Sequence, residues 1–146
     1  MAVEYDFNIA TELEPIQALH IISDGLNLKW RTDTLLERLG IQVSAIPSPE
    51  LRQSVIEEEF GGFRPTISVL FRIFPNADYE GGIRILRPAT MELLRQVPGD
   101  AVLLFNGETI VLQRLGGKLV LNEGWGNWNA SELADVTLPY ELRKLP

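Results

Sequence analysis

The stretch Asp100–Asn122, DAVLLFNGETIVLQRLGGKLVLN, decides the fold. It holds three short apolar runs, Ala101–Phe105, Thr109–Arg114 and Lys118–Asn122, separated by Asn106-Gly107 and Gly116-Gly117. A tight two-residue hairpin loop needs positive φ, which Gly adopts without steric cost and Asn tolerates better than most residues. Both pairs therefore predict turns between antiparallel strands, and the stretch reads as a three-stranded meander. The remaining segments must pair with it or pack on it.

Working outward, Val3, Tyr5, Phe7 and Ile9 alternate with Glu4, Asp6 and Asn8, which predicts a strand with one buried and one wet face. Pro15 suits the first turn of a helix over about Glu14–Ser23, whose Ile16, Leu19 and Ile22 recur at spacings of three. Thr32 or Asp33 can cap a short helix carrying Leu35, Leu36 and Leu39, with Gly40 ending it. Ile41, Val43 and Ala45 predict a short strand. Ser48 and Pro49 then open a helix with Leu51, Val55 and Ile56 that ends in Glu57, Glu58 and Glu59.

Pro65–Phe74, PTISVLFRIF, is the strongest single strand, and its mixed second face predicts a central position, partly covered on both sides. Asn76 or Asp78 can cap the following helix, in which Pro88 predicts a kink or break near Arg87–Pro88. Gly81-Gly82 is explained by close approach to the sheet, since no phosphate-loop pattern surrounds it. Past the meander, Asn129 caps a short helix with Glu132 positioned for a capping box, and the tail Leu138–Pro146 reads as helical turns docked by Leu138, Leu142 and Leu145. Together these elements predict a single α+β domain over residues 1–146. Its sheet is mainly antiparallel with five or six strands, helices pack on one face, and the meander is C-terminal.

The chemistry is sparse. The absence of cysteine removes disulfides, thiolate nucleophiles and cysteine metal sites, and fits a reducing compartment. A single histidine, His20, flanks the apolar stripe of the first helix and reads as a boundary packing residue. No catalytic residue, metal site or cofactor is assigned, because a site needs a convergent set of groups and none of the familiar spacings occurs. The N-terminus lacks a signal-peptide pattern and no apolar run is long enough to span a membrane, so a cytoplasmic location is expected. A net charge of −7 disfavours nucleic acid and suits a basic partner, although solubility alone also explains it.

Two stretches are candidates for partner binding. Glu57, Glu58 and Glu59 point in directions about 100° apart on a helix, so they make a solvated helix end or an acidic patch rather than an acid/base pair. Trp125, Asn127 and Trp128 lie in a Gly/Asn-rich loop, where the tryptophans either fold back onto the core, the favoured reading, or supply binding hot spots.

DAVLLFNGETIVLQRLGGKLVLN, WGNW and TLPYELRKLP together resemble the C-terminal half of the Sit-type bacterial immunity proteins. EYDFNIAT, GFRPTISVLFRI and DYEGGIR are similar to the same family, and the match is weakest over Asn27–Ile56. The resemblance implies a protein that binds and neutralises, by occlusion, a cognate polymorphic toxin delivered by a neighbouring bacterial cell. It implies no contact residues; the acidic charge points to a basic toxin. Two alternatives stand beside it. One is a small-molecule-binding domain or minor enzyme using the wet sheet face around Glu4, Asp6 and Arg72. The other is a homodimeric structural or regulatory protein joined through strand edges or the Trp125–Trp128 loop.

Overall fold

A computed structural model describes residues 2–146. Nine strands form one sheet: β1 Val3–Ile9, β2 Lys29–Thr32, β3 Leu35–Arg38, β4 Ile41–Pro47, β5 Ile67–Ile73, β6 Ala101–Phe105, β7 Thr109–Leu115, β8 Lys118–Asn122 and β9 Glu141–Arg143. Their order is β2-β3-β4-β5-β1-β6-β7-β8-β9, and every neighbouring pair is antiparallel except β8 and β9. The helices are α1 Pro15–Gly25, α2 Glu50–Glu59, α3 Pro75–Gln96 and the one-turn α4 Ala130–Leu133. The α+β class and the C-terminal meander are as the sequence predicts. The sheet is wider than five or six strands, because β3 and β9 arise from segments whose leucine spacing reads as helical, and β2 from Lys29–Thr32, which has no apolar periodicity of its own.

The meander forms as its turns dictate. Asn106 and Gly107 both take positive φ, 50° and 74°, and so do Gly116 and Gly117. β5 is central, paired on one side with β1 and on the other with β4. On one face, a row of directly opposed residues, Trp30, Leu36, Val43, Phe71, Tyr5 and Phe105, crosses six strands. α1 and α3 pack on this face, where Ala18, Leu19, Ile22, Leu86, Leu93 and Leu94 join the sheet's apolar side chains in the main core. Each of the leucines and isoleucines among them contributes about 1.5–3 kcal/mol by leaving water.

The helices do not share one face. α2 lies on the opposite side, where Ile56 with Phe60 and Phe63 packs around Val102 of β6 in a separate, smaller cluster. The physical reason is strand alternation: Val102, Leu104 and Ile110 point away from α1 and α3 and need their own cover. Consequently β1 has no fully wet face, and Asp6 and Asn8 are buried.

Residues 32–40 form the β2–β3 hairpin and the turn into β4 rather than a helix. So short a helix is marginal by itself, whereas pairing with β4 places Leu36 in the apolar row and leaves Leu39 exposed in the turn. Gly40 ends that turn at φ 91°; a Cβ there would collide with the Asp78 carbonyl oxygen. The discontinuity in α3 falls at Asp78 (φ −154°, ψ 82°), not at Pro88. Asp78 Oδ1 accepts from the Gly81 N–H at 3.0 Å and starts the regular helix. Pro88 removes the donor that would meet the Arg84 carbonyl, but Arg84 is exposed, which leaves that carbonyl to water. The close approach expected at Gly81-Gly82 is present: a Cβ on Gly82 would stand 2.8 Å from Ile73 Cγ2.

Three local expectations need correction. Ser48 does not cap α2, since Pro49 takes that position and the Ser48 hydroxyl meets Ser68 instead. Asn129 does cap α4, but Glu132 turns toward Arg87 rather than completing a capping box. The tail is β9 instead of helix, with Leu142 beside Leu121 and the Leu145 N–H bonded to Asn122 Oδ1.

One residue joins the meander to α3. Arg114 of β7 is buried, and its guanidinium donates to the carbonyls of Leu94 (2.5 Å), Val97 (2.5 Å) and Gly99 (2.8 Å). A cation on the last carbonyls of a helix also complements the helix dipole.

Candidate functional site

The face carrying α2 is built from three rows of opposed side chains that differ in chemistry. The outermost row runs Lys29, Glu37, Gln42, Arg72 and Glu4 across five strands. It is closed by polar contacts: Arg31 donates to Glu37 at 2.6 Å, Gln42 donates to the same carboxylate at 3.0 Å, and Arg72 meets Glu4 at 3.3 Å. The hydrogen bond from Gln42, then Arg31, holds the Glu37 carboxyl below the usual carboxylate range. The second row contains Leu35, Ser44, Leu70, Asp6 and Leu104; the third contains Ile46, Ser68, Asn8 and Val102. α2 covers part of these two rows and leaves the outermost row open.

Beneath α2 lies a buried polar seam. Asn8 Nδ2 donates to the Asp6 carbonyl (3.2 Å), the Ser68 hydroxyl donates to Asn8 Oδ1 (2.7 Å), and the Ser68 and Ser48 hydroxyls are 3.3 Å apart. Asp6 Oδ2 meets Arg52 Nη1 from α2 at 2.9 Å, while its Oδ1 is buried without a partner among the described residues. Burial pushes the Asp6 carboxyl above its ordinary value, and Arg52 only partly offsets this. The seam positions α2; it does not present a group to a substrate, because the helix lies over it.

The outward side of α2 is unlike an ordinary solvated helix. Leu51 is 78% exposed and Val55, one turn on, is 46% exposed. Ile46, on the same side of the sheet, is 47% exposed. Glu57, Glu58 and Glu59 follow at the C-terminal end, all exposed, with Glu57 bonded to Arg64 at 3.2 Å. A leucine and a valine at i and i+4 that face water, rimmed by carboxylates, make an apolar stripe with an acidic border.

The tryptophan loop has the opposite character. Trp125 meets Tyr5 edge-on at 6.2 Å and Trp128 at 5.3 Å, and the Trp128 indole N–H donates to the Val111 carbonyl at 3.1 Å. Both rings are partly buried against the main core, and only Asn127 of that trio is fully on the surface. Glu4 and Arg72 do meet on the open row, but Asp6 is withdrawn under α2, so the trio does not converge. His20 is exposed rather than packed at a core boundary, with its ring 5.0 Å from Trp30.

Sequence reasoning missed Arg52, the exposure of Leu51 and the packing of Trp30 on His20. Asp6, Asn8 and Ser68 alternate with core residues as on any wet strand face, so their spacing carries no separate signal for the helix that covers them. A cleft of about 610 Å³ opens at the sheet's end between Lys29, Glu37, Gln42, Phe74 and Ala77, and its carboxylate is the one already held by Arg31 and Gln42. Among the described residues no group of three or more metal-ligating side chains converges, and no helix is long and apolar enough to cross a membrane.

A family model described as SitI3-like matches residues 3–132. No curated protein and no solved structure gives a significant match.

Proposed function

Since this chain belongs to the SitI3-like family, we propose that it is a non-catalytic immunity protein, a single folded unit that binds a cognate toxin domain in the cytoplasm and blocks it by occlusion. The observation that carries this reading is the exposed Leu51–Val55 stripe on α2. Apolar side chains left in water on an otherwise well-packed domain mark interaction surfaces when they are contiguous and rimmed by polar groups. The acidic end of the same helix and the net charge of −7 favour a basic toxin surface, by faster encounter and by rejection of acidic partners. On this reading Glu57, Glu58 and Glu59 border the interface, and Trp125 and Trp128 support the fold behind it.

The test is co-expression with the toxic domain encoded by the neighbouring open reading frame. Rescue of growth and copurification are expected from the wild-type chain, and both should weaken in Leu51→Asp. Absence of any toxic domain in that frame, with no partner copurifying, would remove the proposal's support.

A further inference from the structure

A second surface lies at the other end of the sheet, remote from the tryptophan loop and independent of the toxin proposal. β2 is an outermost strand, paired only with β3, and all four of its residues are exposed. It reads Lys29-Trp30-Arg31-Thr32, a cationic strand in an acidic protein. Lys29 makes no ion pair among the described residues, and Arg31 shares Glu37 with Gln42. Trp30 is 38% exposed, its ring beside His20 and close to Ile16, which is 39% exposed; these three with Thr32 and Asp33 line a hollow of about 350 Å³.

Short length, lysine and a register shift between Trp30 and Thr32 are features that keep an edge from indiscriminate pairing. They do not account for an exposed tryptophan. The charges also decide which occupant fits. If β2 paired antiparallel with its own copy, Trp30 opposite Trp30, Lys29 would face Arg31 twice. Centring the pair on Arg31 would set that guanidinium against itself. Like charges directly opposite are destabilising, so a second copy is disfavoured. An extended segment with acidic residues facing Lys29 and Arg31, and an apolar side chain entering the hollow beside Trp30, meets both the charge and the apolar surface.

We propose that β2 is a docking edge for an acidic, alternating extended segment of a partner protein, which adds as a tenth strand with an apolar anchor against Trp30 and His20. Two end-blocked peptides, alternating Glu with Val and alternating Lys with Val, test this by amide hydrogen exchange on the full chain. The acidic peptide should slow exchange at Lys29–Thr32, by about threefold at a concentration of twice its Kd, and added salt should weaken the effect. The lysine peptide should do nothing. The double variant Lys29→Glu/Arg31→Glu should reverse the preference, and Lys29→Gln, milder and easily folded, should weaken it. Equal protection by both peptides, no protection by either, or protection of β2 by self-association of the wild-type chain would each overturn the proposal. Toxin rescue is read separately, so the two surfaces fail or succeed independently.

Discussion

Arg52 Nη1 stands 2.9 Å from Asp6 Oδ2, and this contact ties α2 to the middle of the sheet. The two ends of the pair are not equivalent. Asp6 is buried, whereas the Arg52 side chain is 40% exposed and can turn to water. Arg52→Ala should therefore cost about 1–3 kcal/mol, because it leaves an uncompensated buried carboxylate. Asp6→Asn removes the buried charge and should cost less. Urea unfolding of both variants at neutral pH checks the order.

The same carboxyl gives a pH dependence of unusual sign. Its folded pKa lies above the ordinary 3.8, because burial outweighs Arg52. The folded state therefore binds the proton more readily than the unfolded chain. The stability this contributes is fully present below 3.8 and is lost as pH rises through the raised folded value. Subtracting the Asp6→Asn stability from that of the wild type across this range should give a difference that falls with pH. A difference that rises with pH would contradict the assignment.

On the outer side of α2, Leu51→Asp and Val55→Asp should leave stability within about 0.5 kcal/mol, as exposed positions do, while on the proposed reading protection against the toxin weakens. Trp125→Ala should show the reverse. It removes a ring packed on Tyr5 and Trp128 and should cost about 3 kcal/mol of stability, with protection per folded molecule retained. Glu58→Lys should chiefly slow association and change its salt dependence. Thermal unfolding alongside co-expression growth assays separates these outcomes.

Arg114 is predicted to be the most costly single polar truncation in the chain. Arg114→Met keeps much of the apolar stem but leaves the carbonyls of Leu94, Val97 and Gly99 without their shared donor. A charge-assisted bond is worth about 1.5–3 kcal/mol, and the loss should reach about 3 kcal/mol or more. Hydrogen exchange should show the last turn of α3 opening first.

Gly40→Ala and Gly107→Ala form a controlled pair. Both glycines have positive φ, but a Cβ on Gly40 meets the Asp78 backbone, whereas one on Gly107 meets nothing within 4 Å. The Gly107 variant should cost about 1 kcal/mol for the dihedral alone, and the Gly40 variant clearly more, since β4, β5 and the start of α3 must shift. Equal melting temperatures would refute the close-approach argument.

Much of this architecture was legible in local signals. Asn106-Gly107 and Gly116-Gly117 carry their turn conformations in themselves, and the alternation of Val3–Ile9 and Ile67–Ile73 leaves little choice but strands. What was not legible depended on distant pairing. Leu35, Leu36 and Leu39, like Leu138, Leu142 and Leu145, have helical spacing over too few residues to decide, and an available sheet edge decided for them. The side taken by α2 followed from Val102 and Ile110 needing cover, which alternation implies only once β6 and β7 are placed. The candidate surface was half visible: the glutamates were evident, but the exposure of Leu51 could not be separated from ordinary core periodicity.

β4 and β5 are hydrogen-bonded neighbours, and α2 is the excursion between them. Residues 48–64 thus behave as a cassette spliced into a hairpin whose two arms are already held by their own ladder. If this helix is the binding surface proposed above, its outward positions can change while Ile56, Arg52 and the strands beneath keep their contacts. Altering that surface would then take substitutions in only one or two helical turns, with the hairpin that carries them left as it is.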